Sequence, residues 1–207
     1  MDKINILCIG DSHTAGFPLF DPVYGGDPKS SYEYWFNLHL SNHFSNTEFD
    51  IHNKGRCGQV SSEILHRLKN TLSNFNYDLI VFWAGANDIA LGYSVSRIWK
   101  NLWQAFQFSA KKSNFFMLVT IPPMNWPGIN MNIVQLNEEI RNKSNSDTYL
   151  YADAYNALVL ENRGLLNPNY DAGDGVHLSI DGYEQVGKEI FKQVNSSIQM
   201  IYDYSEG

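Results

Sequence analysis

The chain has 207 residues, 43% of them hydrophobic and 18% charged, with a formal charge of −7; this fits one compact domain over 1–207 and excludes a disordered or membrane-spanning composition. Lysine and arginine are scattered rather than clustered, so there is no electrostatic footprint for nucleic acid or an anionic membrane. Two cysteines, Cys8 and Cys57, are too few for a disulfide framework, and the start "MDKINILCIGD" lacks the regions of a secretory signal, so a reduced, cytoplasmic setting is expected.

The first apolar run, Ile4 to Ile9, reads as a buried strand and stops abruptly at Gly10-Asp11-Ser12-His13. Residues 17–30, "FPLFDPVYGGDPKS", are marked as an irregular loop by their turn residues, and helical periodicity runs from Ser31 to Ser45. A second strand, Phe49 to Asn53, runs into "NKGRCGQ" and a helix from Val60 to Ser73. The third, Asp78 to Ala84, runs into "GAND" and then a helix from Val95 to Lys112. The fourth is Phe115 to Ile121, with a helix from Asn130 to Lys143, and the fifth is Thr148 to Asp153. A second irregular stretch, "ENRGLLNPNYDAGDGVHLS" at 161–179, precedes the closing helix from Asp181 to Met200.

This alternation predicts a parallel five-stranded sheet with right-handed crossovers and helices on both faces, a three-layer α/β/α domain with strand order 2-1-3-4-5. Ligands bind beyond the carboxyl ends of such strands, near the switch in strand order. The polar clusters at Ser12, Gly58, Asn87 and Asp174 to His177 all fall at that edge.

A serine where a buried strand turns toward a helix can present its Oγ at the sheet edge. His177 can act as its base, and Asp174, three residues earlier, can fix the imidazole tautomer. The oxyanion formed by attack on an acyl carbon can be met by the backbone N–H of Ser12, the backbone N–H of Gly58 and the side-chain amide of Asn87. Each residue also has a plainer explanation. Ser12 could satisfy turn amides, Asn87 or more readily Asp88 could cap a helix, Asp174 could form a turn, His177 could be a surface residue and Gly58 could make a tight turn. Their joint occurrence favours catalysis.

Asp11 is expected to hold the nucleophile's loop. His13 is expected to form a wall of the pocket or a surface group, and Phe17, Phe20 and Tyr24 to offer substrate-facing surface from the adjoining loop. Cys57 is expected to pack or line the pocket, and His39, His43, His52 and His66 to be structural or solvated. "GYEQVGKE", at 182–189, imitates a phosphate-binding loop but has Glu189 where a magnesium-binding hydroxyl would be needed.

"GDSHTAG", "NKGRCG", "GAND" and "DGVH" occur in the order of the blocks that define the SGNH hydrolases, also called the GDSL-like esterase and lipase family. The chain resembles that family nearly end to end. The resemblance implies a flavodoxin-like sheet, a serine nucleophile, no cofactor, and hydrolysis of an ester or thioester, with Ser12, Gly58, Asn87, Asp174 and His177 as nucleophile, oxyanion donors, orienting carboxylate and base. His13 departs from it, standing where the family name has leucine. The expected activity is cleavage of a small-molecule carboxylic ester through an acyl-enzyme, with short-chain or acetyl esters, including O-acetylated carbohydrates, as first choice. The alternatives are a lysophospholipase or acyl-thioesterase on the same site, a metal-dependent phosphohydrolase built on Asp11, His13, Asp88, Asp174 and His177, and a non-catalytic carbohydrate- or lipid-binding module.

Overall fold

The computed structural model describes residues 3–126, 128–143 and 148–205. In chain order the elements are β1 (Lys3–Gly10), α1 (Ser12–Ala15), β2 (Phe20–Asp21), β3 (Gly25–Gly26), a 3₁₀ turn (Pro28–Ser30), α2 (Tyr32–His43), β4 (Glu48–Gly55), α3 (Ser61–Leu72), β5 (Tyr77–Trp83), α4 (Ala86–Ala90) and α5 (Val95–Ser109). Beyond these lie β6 (Ser113–Val119), α6 (Asn130–Asn142), β7 (Tyr149–Ala152), α7 (Ala154–Leu158), β8 (Val159–Leu160), β9 (Leu165–Leu166) and α8 (Ile180–Ser205).

Five strands form one sheet in the order β4-β1-β5-β6-β7, with every neighbouring pair parallel. This is the expected order 2-1-3-4-5 and a three-layer α/β/α architecture. β1 lies at the switch in strand order, and from Ile6 to Gly10 it is fully buried, because it is covered on both faces and so reads as a continuous apolar run. In register, Gly10 faces Gly55 of β4 and Trp83 of β5. The three strands therefore end at the same level of the sheet, and the turns that leave them converge.

Helices α2 and α8 pack on each other, while α3, α5 and α6 form a second group, the two-sided arrangement that right-handed crossovers impose. Ser31 begins α2 by accepting from the Tyr34 amide, and Ser94 does the same for α5 through the Arg97 amide. A Cβ on Gly187 of α8 would stand 2.8 Å from the Tyr32 carbonyl oxygen and 2.9 Å from the Phe36 nitrogen. That glycine serves close helix crossing, which explains the near-imitation of a phosphate loop around it.

The structure corrects the sequence reading in its short elements. Residues 17–30 are not wholly irregular, since β2 and β3 pair as a small antiparallel hairpin, and β9 within the second irregular stretch pairs with β8. The one-turn helices α1, α4 and α7 have no counterpart in the sequence pattern. Two-residue strands and single helical turns are too short to produce a hydrophobic period. The helix expected to run to Lys112 ends at Ser109, and the closing helix continues to Ser205. Among the described residues no helix is long and apolar enough to cross a membrane.

Candidate active site

The turn after β1 is held by groups that the sheet brings to it. Asp11 caps α1 by accepting from the His13 amide at 3.0 Å. Asn53 of β4 donates to the Thr14 carbonyl at 2.8 Å and accepts from the Gly55 amide at 2.9 Å. A Cβ on Gly55 would come within 2.1 Å of the Ala15 nitrogen, so only glycine lets β4 pass this close beneath the turn. Ser12 thereby becomes the first residue of α1, 6% exposed.

His177 reaches Ser12 from the other end of the chain. Its Nε2 lies 3.0 Å from Ser12 Oγ, and its Nδ1 lies 2.6 Å from Asp174 Oδ2. A carboxylate accepts only, so Nδ1 carries the proton and the Nε2 lone pair faces the serine hydroxyl. The other carboxylate oxygen of Asp174 accepts from the amides of Val176 and His177 at 2.9 and 2.8 Å. Partial burial pulls the Asp174 carboxyl upward, but the bonds from the His177 ring and the two amides outweigh it and bring it down to about 2. It stays ionised at any ordinary pH.

The loop bearing this pair is braced. Asp171 accepts from the amides of Gly173 and Gly175 at 2.7 and 2.9 Å and from the Asn125 side chain at 3.2 Å. Asn125 in turn donates its own amide to the Gly175 carbonyl at 2.7 Å.

Asn87 sits in the first turn of α4 and donates to the Gln59 carbonyl at 2.9 Å. That bond brings the turn containing Gly58 beside it. The Gln59 side chain is held by Arg67, which also donates to the carbonyls of Gly10 and Lys54. Gly58 itself is exposed, with φ of +77°, and it is not among the residues lining the cavity at Ser12. Asp88 does not cap its own helix. Its carboxylate accepts from the Ser61 amide at 2.7 Å and the Ser61 hydroxyl at 2.6 Å, capping α3 instead.

A cavity of about 160 Å³ opens at Ser12, lined by His13, Ala86, Asn87, Ala90, Met124, Trp126, Asp174, Val176 and His177. Four residues expected at the site therefore meet: Ser12, Asn87, Asp174 and His177. His13 is buried and forms part of the wall. Phe17 packs against the His177 ring, with centroids 4.5 Å apart and the planes tilted by 60°. Phe20 lies outside the cavity wall, and Tyr24, in the connection between β2 and β3, is 91% exposed and does not reach it. Sequence reasoning misses Ala86, Ala90, Met124, Trp126 and Val176, since their apolar side chains carry no signal that separates a cavity wall from core. Cys57 is exposed and outside the wall.

The carboxylates and imidazoles that could have formed a metal centre are engaged separately, Asp88 with Ser61, Asp11 with His13, and Asp174 with His177. Among the described residues no group of three His, Cys, Asp or Glu is arranged to hold an ion.

A sequence profile of the GDSL-like lipase/acylhydrolase family matches residues 8–185. The chain is 27% identical over 202 residues to a multidomain esterase of Ruminococcus flavefaciens, a match covering 89% of this chain and spanning about a quarter (25%) of that relative's length. Among solved structures, a member of the lipolytic G-D-S-L family from Veillonella parvula superposes with a TM-score of 0.72 at 19% identity, covering 91% of this chain and 97% of that one. An acetylxylan esterase from Geobacillus stearothermophilus superposes at 0.75 with 18% identity, covering 91% and 93%.

Proposed function

The chain belongs to the GDSL-like lipase/acylhydrolase family, and from that premise we propose that it hydrolyses carboxylic esters of small acyl groups by a serine acyl-enzyme mechanism. The observation that carries this reading is the continuous hydrogen-bonded line from Asp174 through His177 to Ser12. Ser12 Oγ attacks the acyl carbon as its proton passes to His177 Nε2, and Asp174 stabilises the imidazolium that forms. The oxyanion is met by the Ser12 amide and the Asn87 side chain at the cavity, and the Gly58 amide, in the turn that Asn87 holds through the Gln59 carbonyl, is the third donor of the proposal. The leaving alcohol takes the proton from His177, and water then repeats the sequence on the acyl-enzyme. No cofactor enters these steps.

The acyl group is limited by space. A cavity of about 160 Å³ is well below the roughly 300–1,000 Å³ of pockets that enclose drug-sized ligands, so an acetyl or similarly short acyl group fits between Ala86, Ala90 and Met124 while a long chain does not. This ranks short esters ahead of lysophospholipids and long-chain thioesters. Trp126, 45% exposed at the cavity lip, and Phe17 beside His177 give the alcohol two aromatic faces, which suits a sugar ring. The acetylxylan esterase resemblance agrees with an O-acetylated carbohydrate. Phe20 and Tyr24 would meet only a leaving group large enough to extend past the mouth.

Three measurements test this. A fluorophosphonate is expected to label Ser12, and Ser12→Ala and His177→Ala are each expected to abolish most turnover, the double variant being little worse than either. On a series of p-nitrophenyl esters, kcat/KM is expected to be highest for acetate and to fall with chain length. A Ser12→Ala enzyme with wild-type turnover would end the serine mechanism, and a maximum at octanoate would end the short-acyl assignment.

A further inference from the structure

His13, the departure from the family's leucine, is 1% exposed and has its ring fixed on three sides. Nε2 lies 3.0 Å from the Val176 carbonyl oxygen, and because a carbonyl accepts only, Nε2 must carry a proton. Nδ1 lies 3.4 Å from Asp11 Oδ1 and has no hydrogen-bond partner among the described residues. A lone pair there would be repelled by the carboxylate, whereas a second proton would be attracted. The ring centroid is 5.1 Å from that of Trp83 and 5.6 Å from that of His177. The charged or titratable groups facing it are Asp11 from its own turn and Asp174 and His177 from the catalytic loop; β5 presents only the neutral Trp83 ring.

With Ser12 and His177 as nucleophile and base, the reading on which this inference rests, we propose that His13 is a positioning residue: an imidazolium held between Asp11 and the Val176 carbonyl, it clamps the Asp174–His177 loop onto the nucleophile's turn. Val176 immediately precedes His177, so its carbonyl fixes where the base emerges. The clamp joins the two ends of the chain that supply nucleophile and base. Burial opposes charge on His13, but the nearby Asp11 carboxylate, helped by the Val176 carbonyl and Asp174, raises its imidazole above the ordinary value.

The test compares wild type, His13→Leu and His13→Gln on p-nitrophenyl acetate, with folding checked by urea unfolding. His13→Leu is expected to lower kcat by about 10–10²-fold with little change in KM, since misplacing a catalytic group costs that much. His13→Gln keeps a donor for the Val176 carbonyl and is expected to recover most of kcat. NMR titration of the wild-type imidazoles, which requires no variant to fold, is expected to show His13 charged above the range of a free imidazole. A folded His13→Leu enzyme with wild-type kcat, or a His13 ring that is neutral throughout, overturns the clamp while leaving the serine mechanism intact. A wild type that neither reacts with fluorophosphonate nor turns over ester overturns that mechanism, and the clamp with it.

Discussion

Asn87 has two amide hydrogens, and the bond to the Gln59 carbonyl at 2.9 Å uses one of them while aiming the group. The other is available to an oxyanion. Asn87→Ala is therefore expected to lower kcat by about 10²–10³ with KM nearly unchanged, and to cost only about 1 kcal/mol in folding stability for the lost bond. Steady-state kinetics beside a thermal melt distinguishes this from a structural role, which would show the melt changing and kcat unmoved. Residues of this kind are legible in sequence because a serine, an asparagine and a D-x-x-H pair are conspicuous where buried strands end. Gly58 is only half legible: its place in the chain points to the oxyanion, yet its amide's direction depends on how Arg67 and Asn87 grip Gln59, which no local pattern reveals. Asp88 misleads for the same reason, as its cap is given to a helix 27 residues away.

At the scale of elements, α6 fastens the segment that carries Met124 and Trp126 to the cavity. Asn137 donates to the Ile121 carbonyl and accepts from the Ile121 amide, both at 2.8 Å, and Asn130, two turns earlier, does the same to Met124 at 2.7 and 3.1 Å. Asn137 and Ile121 are fully buried, so Asn137→Ala strands two backbone groups without water and is expected to destabilise the fold by about 2–4 kcal/mol. Asn130→Ala, at a half-buried position, is expected to cost less than Asn137→Ala. Urea unfolding of both checks this, and equal, negligible losses would contradict it. The strands and long helices are readable because five consecutive buried residues in a central strand, or three to four helical turns with one buried face, leave a period in the sequence. The asparagine clamps, like the small hairpins, leave none.

Across the whole molecule, one buried carboxyl couples stability to pH. Glu33 of α2 is 6% exposed and neither of its oxygens meets a donor at hydrogen-bond geometry. Burial raises it to about 8, with the hydroxyls of Ser31 and Tyr32 and its own amide pulling the other way. The folded state thus holds a proton that the unfolded chain releases near pH 4.5, so the stability this group confers is full below that pH and is lost as pH rises toward 8. The loss amounts to about 1.4 kcal/mol for each pH unit in that window. Glu33→Gln is expected to flatten the dependence, becoming more stable than wild type in relative terms as pH increases from 5.5 to 8.5 in urea titrations; parallel curves would refute the assignment. Another molecule-wide consequence comes from the 165 residues that separate His177 from Ser12. Such a separation is closed only after the intervening strands have paired, and contacts of this range form late and slowly. Recovery of turnover during refolding is then a reporter of complete assembly. A chain with its helices already formed but its sheet unfinished stays catalytically silent.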